Sequence, residues 1–302
     1  MTEIAPSQQT RNQQDVPDFS GVRSPGRLTD IAKNLRRNPV VIVGIVVVIT
    51  WVMLAILAPV IAPQDPLQQN VSNRLQPPSE TSLMGTDELG RDIFSRVLYG
   101  GRITIPAALA VVIVVSIVGT FVGAFAGYRG GLSDEILMRV TELFMAFPTI
   151  ILAMAVTAAL GADIRNAVLA LIIVRWPNYS RLTRGLVLEA KNHDYVKASR
   201  SLGASHTHIL GKTLLPNTIA AALVYASLDI GNAILLFAGL SFLGLGPEPS
   251  SPEWGRMVSI GIDFFDQWWM WLFPGLAIAT LVLAFNFIGD GLRDMLDPHT
   301  RK

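Results

Sequence analysis

Cysteine is absent from the chain and charge is scarce. Without cysteine among 302 residues, disulfides, thiolate metal sites and cysteine catalysis are excluded. Charged residues make up 16% of the sequence and hydrophobic residues 51%, and the charges are confined to segments between long apolar runs. This pattern indicates an integral membrane protein. The formal charge of +1 is spread over several segments, so no nucleic-acid-binding surface is expected.

Six apolar segments are predicted to span a membrane. Residues 40–62 form an uncharged run that is long enough for about 30 Å of hydrocarbon. A cleavable signal peptide is the alternative, but its apolar core would cover only about 7 to 15 residues. The fourth span is short, and we include it because the segments after it would otherwise change sides. The second to sixth spans are predicted at residues 103–128, 143–162, 166–174, 218–245 and 268–289.

The segments outside these spans are polar. Residues 1–38 are predicted to form a cytoplasmic tail. Its first part, up to about residue 25, is expected to be disordered, and residues 28–38 form either a basic interfacial helix or a solvated linker. A helix-start signal at Thr86 and Asp87 falls in the loop after the first span. The domain boundaries are placed at 39–62 for the first transmembrane helix, 63–101 for an extracytoplasmic loop, 102–291 for the transmembrane core and 292–302 for a cytoplasmic C-terminus.

The positions of lysine and arginine predict the orientation of the chain. Of 24 such residues, 17 lie in the N-terminal tail, after the second and fourth spans, or at the C-terminus. Six lie on the opposite side, and Arg175 lies next to the fourth span. Because basic residues concentrate on the cytoplasmic side of membrane proteins, both termini are predicted to be cytoplasmic.

The segment at residues 194–217, DYVKASRSLGASHTHILGKTLLPN, is polar and basic although it lies between two apolar spans. Its apolar residues Val196, Leu202, Ile209 and Leu210 are expected on roughly one helical face. We therefore predict a folded cytoplasmic docking element at this position.

The four histidines all lie in predicted cytoplasmic segments. No proton relay or metal site is therefore expected within a span, and a turn at 239–241 (GLS) that resembles a serine hydrolase nucleophile lacks a base. His206 and His208 could bind a metal, but a solvated helix surface is the favoured interpretation. His206 also stands where a P-loop ending at 211–213 (GKT) would need glycine, so we expect no ATP binding by this chain.

Two charged residues fall inside or beside the predicted spans. Arg175 and Asp229 each lie about eleven residues from one end of their spans, so at about 1.5 Å per residue both approach the middle of the membrane. Because an unpaired charge there is costly, they are predicted to pair or to face a water-filled pathway. The alternative is that Arg175 extends to the membrane interface.

In the second span, Gly119 and Gly123 favour close helix packing.

Several motifs together resemble a known family. Gly203 and Ala204, followed by LLPN at 214–217, resemble the EAA loop of permease subunits of binding-protein-dependent ABC importers. Further segments resemble, more narrowly, the second permease subunit of dipeptide and oligopeptide importers. These segments are GTDELGRDIFSRVLYGGR at 85–102, GYRGGLSD at 127–134, LSFLGLGPEPSSPEWGRM at 240–257 and FNFIGDGLRDMLDP at 285–298.

The resemblance implies an all-α membrane protein with six transmembrane helices, namely one leading helix and a five-helix type I ABC importer (MetI-like) core. It implies a non-catalytic subunit of a bacterial inner membrane, without cofactor or metal. The implied partners are a homologous second permease subunit, two ATP-binding subunits, an extracytoplasmic substrate-binding protein and membrane lipid. The EAA loop, 181–217, would form a coupling helix on an ATP-binding subunit, with Gly203 allowing a bend between its halves. The implied coupling residues are Lys197, Ala198, Ser199, Leu202, Gly203, Ala204 and Pro216.

The loop departs from the family pattern at one position. Lys197, Ala198 and Ser199 stand where the signature has Glu-Ala-Ala, which reverses a charge on the expected docking surface. Either the partner compensates or this position makes no direct contact. The resemblance favours di- or oligopeptides as substrates, and nickel chelates, glutathione, opines and oligosaccharides are alternatives within the same importer class. A secondary transporter that uses Asp229 for proton coupling is the alternative from another class.

Overall fold

The computed structural model describes residues 38–296, and the regular structure of these residues is helical apart from one isolated bridge between Thr86 and Asp92. The N-terminal tail before residue 38, with its expected interfacial helix, and residues 297–302 lie outside this range. The α-helices of the described residues are α1 Pro39–Ile61, α2 Ile93–Arg129, α3 Gly131–Met145, α4 Thr149–Leu160, α5 Ile164–Ala190, α6 Asp194–Ser201, α7 His206–His208, α8 Leu215–Phe242, α9 Trp254–Asp263 and α10 Trp268–Leu296.

α1 is apolar around its whole circumference, which is typical of a helix that is surrounded by lipid or protein on all sides. It begins with Pro39, whose fixed φ and missing N–H suit the first turn of a helix. A Cβ on Gly44 would lie 2.7 Å from the carbonyl oxygen of Ala284 in α10. The leading helix therefore packs closely against the last one, while most of its large side chains remain exposed.

Four helices of the described residues are long and apolar enough to cross a membrane. They are α1, α2, the part of α8 from Ala221 to Phe242 and the part of α10 from Trp268 to Asp294. They cover the first, second, fifth and sixth predicted spans. α3 and α4 pass the same test only when they are taken together as one bent pair.

The third predicted span, at 143–162, is not one helix. α3 ends at Met145, α4 begins at Thr149, and the two helices are bent by 88° relative to each other. Pro148 lies in the break with an extended backbone. Because proline has no N–H to donate and restricts the residue before it, it favours a helix end here. The predicted span at 143–162 therefore corresponds to parts of two helices that meet at a sharp bend.

α5 is much longer than the apolar run predicted for the fourth span. It covers Ile164–Ala190 and continues through Pro177. At about 1.5 Å per residue it is long enough to cross a membrane, although its charged residues leave it outside the apolar set. Residues 181–190, which were predicted to belong to the EAA loop, are the last turns of this helix. A short π-helical segment, Ile209–Leu214, later joins α7 to α8.

α2 and α5 pack at close range through glycine. A Cβ on Gly119 would lie 2.4 Å from the Cβ of Tyr179, and a Cβ on Gly123 would lie 2.1 Å from the carbonyl oxygen of Ser180. Larger side chains at these positions would push the helices apart, as expected for a contact between small residues. This packing fixes α5, which carries Arg175, against α2.

α2 begins later than the sequence signal indicated. The side chain of Asp92 accepts a hydrogen bond from the N–H of Ser95 at 2.8 Å and caps the helix. Thr86 and Asp87 belong to the preceding loop, where the hydroxyl of Thr86 donates to the carbonyl oxygen of Asn73 at 2.6 Å. The predicted helix start at these two residues is therefore wrong, because their side chains make loop contacts.

Candidate functional site

Two helices bring a pair of opposite charges together in the middle of the bundle. Nη2 of Arg175 in α5 donates to Oδ1 of Asp229 in α8, and the hydroxyl of Tyr179 donates to Oδ2 of the same carboxylate at 3.0 Å. The side chains of Arg175 and Asp229 are only 5% and 2% exposed. The structure thus brings the two predicted charges together, and each offsets part of the cost of burying the other. Arg175 does not extend to the helix ends.

Tyr179 is the member of this site that was not predicted from the sequence. It lies four residues after Arg175 and therefore on the same face of α5. Its ring also packs edge-on against Tyr225 of α8, with 4.9 Å between the ring centres. A tyrosine at this spacing from a charge inside a span was the available signal. Within the described part of the chain, Nη1 of Arg175 is buried without a hydrogen-bond partner, so the site keeps one unused donor.

The segment after α5 folds into two short helices joined by a sharp turn. α6 ends in a Schellman motif, in which the N–H of Ala204 donates to the carbonyl oxygen of Ser199 at 3.1 Å. Gly203 lies at the turn with a φ of +79°, a conformation that other residues rarely adopt. Ser205 then caps α7 by accepting a hydrogen bond from the N–H of His208. We call residues 191–214 the coupling segment.

One face of the coupling segment is held against the membrane helices. Val196, Ile209 and Leu214 are 1% exposed or less. They pack in one cluster with Ala124 of α2 and Val187 of α5. The segment is therefore fixed to the ends of these two helices and is not a loosely attached loop.

The opposite face carries several of the predicted coupling residues. Leu202 was expected on the buried face but is 88% exposed, because it lies at the C-cap of α6, where helical spacing ends. Nζ of Lys197 lies 3.1 Å from Oδ1 of Asp194, and such an exposed pair contributes little stability. The remaining predicted coupling residues outside the turn are exposed or half-buried: Ala198, Ser199, Ala204 and Pro216.

Known proteins are similar to this sequence over most of its length. Residues 119–302 match the family described as binding-protein-dependent transport system inner membrane component. The chain belongs to this family. Residues 26–78 also match the N-terminal transmembrane domain of oligopeptide transport permease C. The resemblance inferred from the motifs and the all-α class of membrane protein are thereby confirmed, and the six-helix arrangement is compatible with four spanning helices, the bent pair and α5.

Curated relatives of this permease carry related names. The dipeptide transport system permease protein DppC of Escherichia coli (strain K12) is 45% identical over 274 residues, which cover 88% of this chain and 91% of the relative. The probable D,D-dipeptide transport system permease protein DdpC of the same strain is 42% identical over 265 residues, 87% of this chain and 89% of the relative. The di/tripeptide transport system permease protein DppC of Pseudomonas aeruginosa (strain UCBPP-PA14) is 40% identical over 281 residues. These residues cover 91% of this chain and 93% of the relative.

In this permease a buried carboxylate joins three helices at the end of the bundle opposite to the coupling segment. Glu253 caps α9 by accepting hydrogen bonds from the N–H groups of Gly255 (2.9 Å) and Arg256 (2.8 Å). It also accepts from the hydroxyl of Thr104 in α2 at 3.2 Å and from that of Ser241 in α8. Burial raises the pKa of the Glu253 carboxyl, and these donors oppose part of that rise.

The loop before α2 contains a buried charge network, which was not predicted from the sequence. Nε of Arg91 lies 2.6 Å from Oδ2 of Asp87, and its Nη2 lies 2.8 Å from Oε1 of Glu88. Burial and the charge of Asp87 raise the pKa of the Glu88 carboxyl. Arg96 donates to the carbonyl oxygen of Ser250 at 3.2 Å and so joins the start of α2 to the loop before α9.

Two histidines of the coupling segment lie on its surface. His206 and His208 are exposed, and Nδ1 of His206 lies 2.8 Å from the hydroxyl of Tyr128. Among residues 38–296, no group of three or more histidine, cysteine, aspartate or glutamate side chains is placed to hold a metal ion.

Proposed function

We propose that this permease forms half of the translocation pathway of an ATP-driven importer of di- or oligopeptides. The observation that carries the proposal is the 40–45% identity, over 87–91% of the chain, to relatives named as dipeptide or di/tripeptide transport permeases. The bundle supports it, because a buried ion pair joins α5 and α8 and the folded coupling segment lies between the same two helices. Because their side chains are only 5% and 2% exposed, Arg175 and Asp229 are proposed to hold α5 and α8 together beside the pathway and not to line it.

Such an importer needs further subunits. We infer a homologous second permease subunit, two ATP-binding subunits that hydrolyse ATP, and an extracytoplasmic substrate-binding protein. The chain itself is then a non-catalytic subunit. We place it in a bacterial inner membrane with both termini and the coupling segment on the cytoplasmic side, because 17 of its 24 lysine and arginine residues fall on that side.

The coupling segment is the proposed docking site for an ATP-binding subunit. Its buried face is fixed to α2 and α5, whereas Leu202 and Lys197 project from the other face. A short rigid element that is connected to membrane helices on both sides can pass the movement of a partner on to those helices. Because Lys197 stands next to Asp194, the surface here carries both charges, and the partner does not need a purely acidic groove.

An uptake assay tests the proposed substrate and energy source. The chain is reconstituted into liposomes with its partner subunits, and the uptake of radiolabelled di- and tripeptides is measured with and without ATP. We expect uptake only when ATP and the substrate-binding protein are both present. Uptake without ATP would contradict ATP-driven import and favour proton coupling through Asp229. ATP-driven uptake of another solute, with no peptide uptake, would contradict the substrate but not the importer class.

A substitution at the exposed leucine tests the docking site. Leu202→Asp should abolish peptide-stimulated ATP hydrolysis by the reconstituted importer without lowering its melting temperature, because this side chain is 88% exposed. Leu132→Asp is the matched control, since Leu132 of α3 is 71% exposed and lies outside the coupling segment. Normal coupling in the Leu202 variant would show that docking occurs elsewhere.

A further inference from the structure

A basic cavity lies beside the coupling segment, at the end of α2. It has a volume of about 840 Å³. Its lining includes Arg129 from the end of α2, together with Lys191, Arg200 and His206 from the coupling segment. No acidic residue is among the lining side chains in the described part of the chain. The cavity therefore concentrates positive charge.

The two arginines of this cavity are not neutralised by the described part of the chain. Arg129 and Arg200 are exposed, and no ion pair joins either to a carboxylate of residues 38–296. Nζ of Lys191, in contrast, donates to the carbonyl oxygen of Gly127 at 3.1 Å, which keeps this part of the lining in place. An anion with several oxygen acceptors would satisfy the free guanidinium groups.

Apolar side chains lead away from the cavity along α2. Phe125 lines the cavity and is 45% exposed, and Phe121 and Ile117 on the preceding turns are 63% and 52% exposed. α2 is among the helices that are long and apolar enough to cross a membrane. Basic pockets at the ends of membrane helices suit anionic lipid head groups. A free phosphate ion would use only the cavity, whereas a phospholipid would also cover the apolar surface.

We propose that this cavity binds a phosphate group, and that its occupant is an anionic phospholipid whose acyl chains lie along Phe125, Phe121 and Ile117. The phosphate then contacts the end of α2 and the coupling segment at the same time through Arg129 and Arg200. A bound lipid therefore links the membrane helix to the coupling segment. This inference rests on contacts within the chain and does not depend on the proposed transport function.

Lipid titration tests the proposal. Dioleoyl phosphatidylglycerol or dioleoyl phosphatidylcholine is added to the delipidated full-length chain in detergent, and the bound lipid is measured by native mass spectrometry. We expect phosphatidylglycerol to bind more tightly, and the double variant Arg129→Gln/Arg200→Gln to weaken its binding about 30-fold, from the usual contribution of two basic residues near an anionic surface. The variant Arg129→Lys/Arg200→Lys keeps both charges and should retain most of the affinity.

A charge-matched control is available at the opposite end of the bundle. Arg102→Gln/Arg165→Gln also removes two exposed positive charges, and it should leave the binding of phosphatidylglycerol unchanged. The proposal is overturned if this control loses as much affinity as the cavity variant, or if the cavity variant binds phosphatidylglycerol as well as the unmodified chain does.

A second titration separates the two sources of phosphate. Inorganic phosphate is added to the same proteins, and binding is measured by calorimetry. If phosphate binds to the unmodified chain but not to Arg129→Gln/Arg200→Gln, while phosphatidylglycerol has no advantage over phosphatidylcholine, the cavity is a phosphate site and the lipid occupant is overturned. Retained affinity of the lysine variant shows that a loss in the glutamine variant comes from charge and not from misfolding.

Discussion

Replacing Asp229 by asparagine should destabilise the permease more than replacing Arg175 by glutamine. The substitution leaves the guanidinium of Arg175 buried without its counter-charge, and breaking a buried pair in this way costs about 3–5 kcal/mol. Arg175→Gln should cost less, because the carboxyl of Asp229 can take up a proton and keeps the hydrogen bond from Tyr179, whereas a guanidinium cannot lose its charge. The double variant removes both charges and should be more stable than Asp229→Asn alone.

The free energy of unfolding of each variant can be measured by denaturant titration in detergent micelles. An exposed ion pair of the same chemistry serves as the control: Arg139 and Glu142 are 3.1 Å apart with side chains 74% and 65% exposed, so Arg139→Gln should cost no more than about 0.5 kcal/mol. If the loss in the free energy of unfolding of the double variant equals the sum of the losses of the two single variants, the charges of Arg175 and Asp229 are not coupled and the reasoning is refuted.

Three further substitutions test the packing, the buried carboxylate and the turn, each by the shift in melting temperature. Gly123→Ala should destabilise the permease by about 1–3 kcal/mol, because its Cβ would overpack against α5. Gly185→Ala is the control, since open space surrounds its Cβ, and it should be neutral or slightly stabilising. Equal effects of the two substitutions would contradict the packing argument. Glu253→Gln should cost about 1–3 kcal/mol or more, since an amide cannot accept from all four donors, and an unchanged melting temperature would contradict this. Gly203→Ala should cost about 1–2 kcal/mol through the positive φ of this position alone, and Gly203→Asn should cost less. If Gly203→Asn cost more than Gly203→Ala, side-chain contacts and not the backbone conformation would determine the effect.

The apolar helices were predictable because their signal is local. The uncharged run at 40–62 corresponds to α1, and the tryptophan at 268 begins α10. The break at Pro148 also had a local signal, but it lay inside an apolar run that gave a stronger one. Leu202 was assigned to the wrong face because periodicity does not reveal where α6 ends, and the turn at Gly203 falls immediately after it.

The extent of α5 and the full composition of its site depend on contacts between helices. Arg175 and Pro177 interrupt the apolar pattern, and burial of the arginine is acceptable only because Asp229 of α8 lies opposite to it. The cost of placing a charge in a membrane therefore predicted that Arg175 and Asp229 belong to the site. It could not predict Tyr179 as the second donor or Glu253 as the link between α2, α8 and α9, because these roles depend on which faces of the helices meet.

The ion pair and the coupling segment are related through the two helices that they share. Arg175 lies 15 residues before the end of α5, and Asp229 lies 14 residues after the start of α8. At about 1.5 Å per residue, the pair is about 22 Å from the coupling segment along both helices. Moving α5 relative to α8 would therefore separate a buried ion pair and leave two charges without their partners. A displaced coupling segment should accordingly move the two helices as one unit, with bending concentrated at the π-helical turn Ile209–Leu214, where the regular α-helical hydrogen bonding is already interrupted.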